Sequence, residues 1–119
     1  MFPKVFRVQS ETDTSAVEFG AFRFEALNGL LFKDGQLVPL GRRSAQLLEA
    51  LLRRRGEVLT KAELIDAAWP GAAIEESNLS VQIAALRKVL GKTSDGKDWI
   101  ATVPRVGYRF SAPEAAGAL

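Results

Sequence analysis

Hydrophobic positions along the chain follow two different periods. Residues 1–17 are mixed and polar around the run SETDTS, with one strand-like stretch at Val5–Val8, and read as a flexible arm. Phe19, Phe22 and Phe24 then alternate with Gly20 and Arg23, as in a strand with one buried face. Asn28-Gly29 marks a turn and Leu30–Phe32 is a second apolar run. Asp34-Gly35 is a strong hairpin signal, followed by Leu37–Leu40. These segments predict a small antiparallel N-terminal sheet.

From Arg42 the period lengthens. Leu47, Leu48, Leu51 and Leu52 make an amphipathic stripe over 42–54, and Gly56 is a plausible stop. Thr60-Lys61-Ala62-Glu63 matches a capping box, in which the threonine hydroxyl takes a free N–H and the glutamate reaches back. The second helix therefore opens at Thr60, buries Leu64, Ile65 and Ala68, and ends after Trp69 at Pro70-Gly71. A third helix begins with Ser77 or Asn78 as its N-cap and closes at Gly91. After the polar loop Lys92–Asp98, the β-like runs Trp99–Val103 and Tyr108–Ser111 flank Pro104–Gly107 as a hairpin. In that hairpin Gly107 is expected to serve turn geometry, and Tyr108 and Phe110 to face opposite ways with Phe110 inward. The Ala/Pro/Gly-rich tail 112–119 resembles a linker. One domain over 18–111 is expected, between an arm (1–17) and a tail (112–119).

The third helix has two contrasting faces. At 100° per residue, Leu79, Ile83, Leu86 and Leu90 cluster within about 40° and form a core face, flanked by Gln82 and Val89. Opposite lie Ser77, Val81, Ala84, Ala85 and Lys88. A helix facing only water would more often carry long charged side chains there. Small residues instead let a helix sit deep in a groove about 12 Å wide. Val81 suits a thymine methyl, Asn78 an adenine edge, and Arg87 and Lys88 suit phosphates. The competing reading is a protein groove filled by Val81, Ala84 and Ala85.

Composition narrows the choice. The 119 residues carry a net charge of +2, but residues 77–110 hold six Lys/Arg against two acids, whereas residues 1–76 hold ten against eleven. This asymmetry favours an anionic partner for the C-terminal third. Cysteine and histidine are both absent, which removes thiolate metal sites and the commonest general base. No nucleophile–base pair, metal set or phosphate loop stands out, so an enzyme is not expected and neither is a cofactor. The Arg53-Arg54-Arg55 run is read as cations completing a helix C-terminus. No apolar run approaches the roughly 20 residues of a membrane span, and the polar start does not match a signal peptide. A cytoplasmic protein is expected, or the cytoplasmic part of a larger, membrane-anchored regulator.

The stretches LTKAELIDAAWPG, SNLSVQIAALRKVLG and IATVPRVGYRF, in this order and at these distances, resemble the OmpR/PhoB-type winged helix effector domain. The resemblance implies an α+β winged helix-turn-helix fold: an N-terminal antiparallel sheet, three helices and a C-terminal β-hairpin wing. It implies sequence-specific binding of double-stranded DNA in transcription regulation, with 77–90 in the major groove and the wing 99–111 at the minor groove. Lys61 and Trp69 match positions that touch the DNA backbone. Ser77, Asn78, Val81, Gln82, Ala84, Ala85, Arg87 and Lys88 lie on the recognition helix. Thr102 and Tyr108 match phosphate-reaching positions at the base of the wing, with Arg109 beside them. Residues 71–76 match the loop that meets RNA polymerase in some members, and a second copy would bind a repeated half-site. Many members have two arginines where this chain has Ala84-Ala85, and Arg-Gly where it has Pro104-Arg105. Arg105 is therefore expected to take over insertion into the minor groove.

Overall fold

A computed structural model describes residues 16–111. Residues 1–15 of the predicted arm, with its strand at Val5–Val8, and the tail 112–119 lie outside the described residues; the last two residues expected in the arm, Ala16 and Val17, belong instead to a strand paired in the first sheet. Four strands open the fold: β1 (Ala16–Phe19), β2 (Phe22–Glu25), β3 (Leu30–Lys33) and β4 (Gln36–Val38). They pair antiparallel in the order β1-β2-β3-β4. Helix α1 (Arg42–Arg53), β5 (Val58–Thr60), α2 (Lys61–Ala68), α3 (Glu76–Leu90), β6 (Ile100–Val103) and β7 (Gly107–Phe110) follow. The second sheet has the order β5-β7-β6.

The expected single strand over Phe19–Phe24 is two strands. Phe19 and Phe22 are three apart, an odd spacing that one strand of period two would send to opposite faces. A tight turn at Gly20-Ala21 resets the phase, so that Phe19 faces Phe22 across the β1–β2 pair and both are buried. Gly20 has φ +59°, and a Cβ there would sit 2.9 Å from the Trp99 indole. The predicted Asp34-Gly35 hairpin turn forms, with φ +52° and +82°.

Strand β5 was not expected. Its three residues give too short an apolar run to register, yet they pair with Arg109, Tyr108 and Gly107 of β7. That pairing also revises the reading of Gly107. Its φ is not in the left-handed region. A Cβ on Gly107 would lie 1.9 Å from the Leu59 carbonyl oxygen, so the strands approach too closely for any side chain. Tyr108 and Phe110 are both buried, because residues two apart in a strand share a face; Arg109 is the one on the other side.

The helices meet expectation at α1 and, except that Ile65 is only half-buried, at α2. Leu47, Leu48, Leu51 and Leu52 are buried. At α2 the capping box is complete: the Glu63 N–H donates to Thr60 Oγ1 at 3.1 Å, and the Thr60 N–H donates to Glu63 Oε1 at 2.8 Å. Helix α3 starts earlier than Ser77, with Glu75 as N-cap making no side-chain cap bond. Ser77 and Asn78 therefore stand within the first turn, with no capping duty. Leu79, Ile83, Leu86 and Leu90 are buried as anticipated. The core continues into an aromatic cluster that joins the sheets: Phe19 lies 5.1 Å from both Trp99 and Phe110, edge to face, and Phe22 stacks on Phe19 at 5.2 Å. Contacts of this kind add about 0.5–1.5 kcal/mol each beyond area burial.

Candidate nucleic-acid interface

The outer face of α3 is centred on Val81. Ser77, Asn78, Ala84, Ala85 and Lys88 all lie within about 60° of it around the helix axis. All six are exposed, and Val81 is 63% exposed. Among the described residues, the side chains of Ser77, Asn78 and Lys88 make no hydrogen bond or ion pair. The face is presented at a fixed angle because α3 packs on both α1 and α2. Gln82 sits at its edge, half-buried, and accepts a hydrogen bond from the buried Ser44 of α1 at 3.1 Å. It ties two helices together rather than joining the open face.

Arg87 was expected on a phosphate, but the structure engages it within the protein. Its Nε and Nη2 donate to the Ile100 carbonyl at 3.0 and 2.8 Å, and Nη2 also donates to Thr102 Oγ1 at 2.6 Å. The guanidinium lies 5.8 Å from the Tyr108 ring centroid and 4.0 Å from Asp98. The side chain is 28% exposed. An arginine at this point of α3 reaches the first residue of β6 because the polar loop folds back on itself. There Lys92 pairs with Asp98 at 2.9 Å, and Thr93 is buried, donating to Asp95. The hydrogen bond from Lys92, helped by the Lys92 and Arg87 charges, holds the Asp98 carboxyl below the usual carboxylate range. The Thr93 hydroxyl does the same for Asp95.

The wing turn has Pro104 at its second position and Arg105 at its third, with φ +69°, closed by the Val106 N–H donating to the Val103 carbonyl at 3.0 Å. Proline followed by positive φ is the type II pattern. A non-glycine residue there is strained. The exposed Arg105 is thus held at the tip, and the Lys61 N–H donates to the Val106 carbonyl at 3.1 Å, which anchors the tip to the start of α2.

The remaining expected residues divide. Lys61 Nζ is paired with Glu76 of α3 at 3.1 Å. Trp69 is half-buried beneath Arg43, whose guanidinium lies 5.8 Å from its ring and also donates to the Ala68 carbonyl. Thr102 is exposed below Arg87, whereas Tyr108 is buried and is first a packing residue. Arg109 does not join the group. It pairs with Val58 and Ala101 on the sheet face away from Tyr108, and lines a cavity with Lys97, Asp98 and Ser111. Sequence reasoning missed Arg43 and Ser44, and it missed that Glu76 pairs with Lys61. The signal for Ser44 was a polar residue in phase with the leucine stripe, three before Leu47.

The Arg53-Arg54-Arg55 run behaves as a helix end. Arg53 pairs with Glu49 at 3.2 Å, and Arg54 pairs with Glu57 at 3.1 Å and Glu63 at 3.0 Å. The Thr60 N–H, followed by Arg54, holds the Glu63 carboxyl below its ordinary range.

Comparison with known proteins agrees with this geometry. Residues 35–110 match the family "Transcriptional regulatory protein, C terminal". The cholera toxin transcriptional activator of Vibrio cholerae is 31% identical over 96 residues, covering 76% of this chain and 33% of that protein. The chain thus spans about a third of that relative's length. The DNA-binding domain of Escherichia coli CadC superposes with a TM-score of 0.73 at 30% identity, over 83% of this chain and 94% of that domain. The DNA-binding domain of Klebsiella pneumoniae RstA, solved in complex with the RstA box, shares the fold at 23% identity, with a TM-score of 0.68 over 81% of this chain and 96% of that one. Among the described residues no helix is long and apolar enough to cross a membrane. The chain belongs to the transcriptional regulatory protein C-terminal family, the OmpR/PhoB-type winged helix DNA-binding domains of transcription regulators.

Proposed function

We propose that α3 enters the major groove of double-stranded DNA while the wing tip reaches the adjacent minor groove. The observation that carries this reading is the face of α3 centred on Val81, small, exposed and without side-chain hydrogen bonds or ion pairs among the described residues, beside the exposed Arg105. Asn78 and Val81 contact base edges, Lys88, Lys61 and Thr102 meet phosphates, and Arg105 enters the minor groove. Lys61 must first leave Glu76, so its contribution is a difference between two ion pairs. The largely exposed residues 71–76, which lead into the first residue of α3, are proposed as the RNA polymerase contact, and two copies on repeated half-sites gain avidity. We place the domain at the cytoplasmic end of a longer regulator.

Fluorescence anisotropy of labelled duplexes between 50 and 200 mM salt tests the docking. Three to five neutralised phosphates give a log–log slope of about −2.7 to −4.5. A flat slope, or no binding, would refute it and leave the Val81 face to a protein partner.

A further inference from the structure

We infer that α3 reads thymine methyl groups, so that the major-groove half of the target is built of A·T pairs rather than guanine-centred. The inference rests on the docking proposed above. Its observation is the chemistry left on the reading face once each polar side chain of α3 has been placed.

Guanine is distinguished in the major groove chiefly by a bidentate cation, most often arginine, on its O6 and N7. Helix α3 has a single arginine, Arg87, and its guanidinium is bound to the Ile100 carbonyl and Thr102 on the wing side. Lys88 lies on the outer face but in the last turn, about 16.5 Å along the axis from Ser77. In helix-turn-helix docking the base edges are met by the N-terminal part of the recognition helix. At Ala84 and Ala85 the face carries only methyl groups. What remains at base depth is one hydroxyl, Ser77, which does not choose between base types, one amide, Asn78, and an apolar strip of Val81, Ala84 and Ala85.

An apolar strip has one attractive counterpart in the major groove: the C5-methyl of thymine. Against a G·C pair the same strip would cover the polar N7, O6 and N4 groups without a partner, which is unfavourable. Asn78 suits the adenine N6/N7 pair. Asn78 and Val81 are separated by about 4.5 Å along the axis, and Val81 and Ala85 by about 6 Å, so they reach neighbouring base steps. Gln82, the other adenine-reading side chain type on the helix, has its carbonyl oxygen held by Ser44.

The test begins with selection of bound duplexes from a random pool by the full chain. Each thymine of the enriched motif is then replaced singly by uracil, which deletes the methyl and leaves pairing and the minor groove intact. The inference expects A·T pairs at the helix-facing positions. It expects at least one thymine whose replacement weakens binding about fourfold, as one lost buried methyl implies. Val81→Ala, at an exposed position that leaves the fold unchanged by circular dichroism, should bind the thymine and uracil duplexes more nearly alike. A guanine-centred motif, or an A·T motif indifferent to uracil, overturns the inference while leaving DNA docking in place. Failure to enrich any motif overturns the docking itself. Because the methyl lies in the major groove, an A·T preference set only by Arg105 in the minor groove gives the indifferent result.

Discussion

Replacing Arg87 with glutamine tests whether this side chain holds the wing or holds DNA. The structure gives it two hydrogen bonds to the Ile100 carbonyl and one to Thr102, at 2.6 to 3.0 Å, on a side chain that is 28% exposed. A hydrogen bond from a charged donor contributes about 1.5–3 kcal/mol. Partial exposure and the shared carbonyl acceptor reduce the set to about 2 kcal/mol in total. For a domain of this size that is a fall in Tm of about 8–16 °C. Lys88→Gln is the control, since the Lys88 side chain has no partner among the described residues: its Tm should stay within about 2 °C, while the slope of log K against log salt should lose about 0.9, one phosphate's worth. Thermal unfolding by circular dichroism and anisotropy titrations at four salt concentrations supply both readings. If Arg87→Gln left Tm unchanged and cut the salt slope as Lys88→Gln does, the wing clamp would be wrong and Arg87 would be a phosphate contact after all.

Three further outcomes are expected. Gly107→Ala forces a Cβ to within 1.9 Å of the Leu59 carbonyl, so β5 and β7 must separate; the cost should exceed the 1–3 kcal/mol usual for overpacking, read as a shift of the urea midpoint. Arg105→Gly relieves the positive φ and should raise stability by about 1 kcal/mol in the same assay, while lowering affinity for DNA in the anisotropy assay. Glu63 has its folded-state pKa lowered, so its contribution is present above its unfolded value, near 4.3, and is lost as pH falls through the folded value. Urea unfolding at pH 7 and about pH 3 should therefore show a smaller loss in Glu63→Gln than in the parent; equal losses would count against the capping-box account.

Much of the fold was legible because periodicity and end signals are local. Thr60 to Glu63 announces its own capping box, Asp34-Gly35 its own hairpin, and the Leu79-Ile83-Leu86-Leu90 stripe its own buried face. What was not legible depends on partners distant in sequence. Nothing near Val58 says that it will meet Arg109, so β5 and the true role of Gly107 stayed hidden. Arg87 shows why site residues are harder than elements. On a helical wheel it is a cation beside the exposed face, and only the return of β6 beneath it reveals the carbonyl it binds. The odd spacing of Phe19 and Phe22 was visible and contained the turn, but the alternation of Phe22 and Phe24 masked it.

The pairing of β5 with β7 also sets an order in time. Val58 to Thr60 leads directly into α2, and its partner strand lies about fifty residues further on, beyond α3 and the loop. Non-local pairing of this kind waits for the chain that completes it. As a ribosome releases the chain at about 5–20 residues per second, α2 and α3 emerge seconds before Gly107. Until then Leu59 lacks its strand partner and the aromatic cluster lacks Trp99 and Phe110. The nascent chain therefore presents its helices before it presents a docking surface, and the DNA-reading geometry arrives as a whole with its last strand.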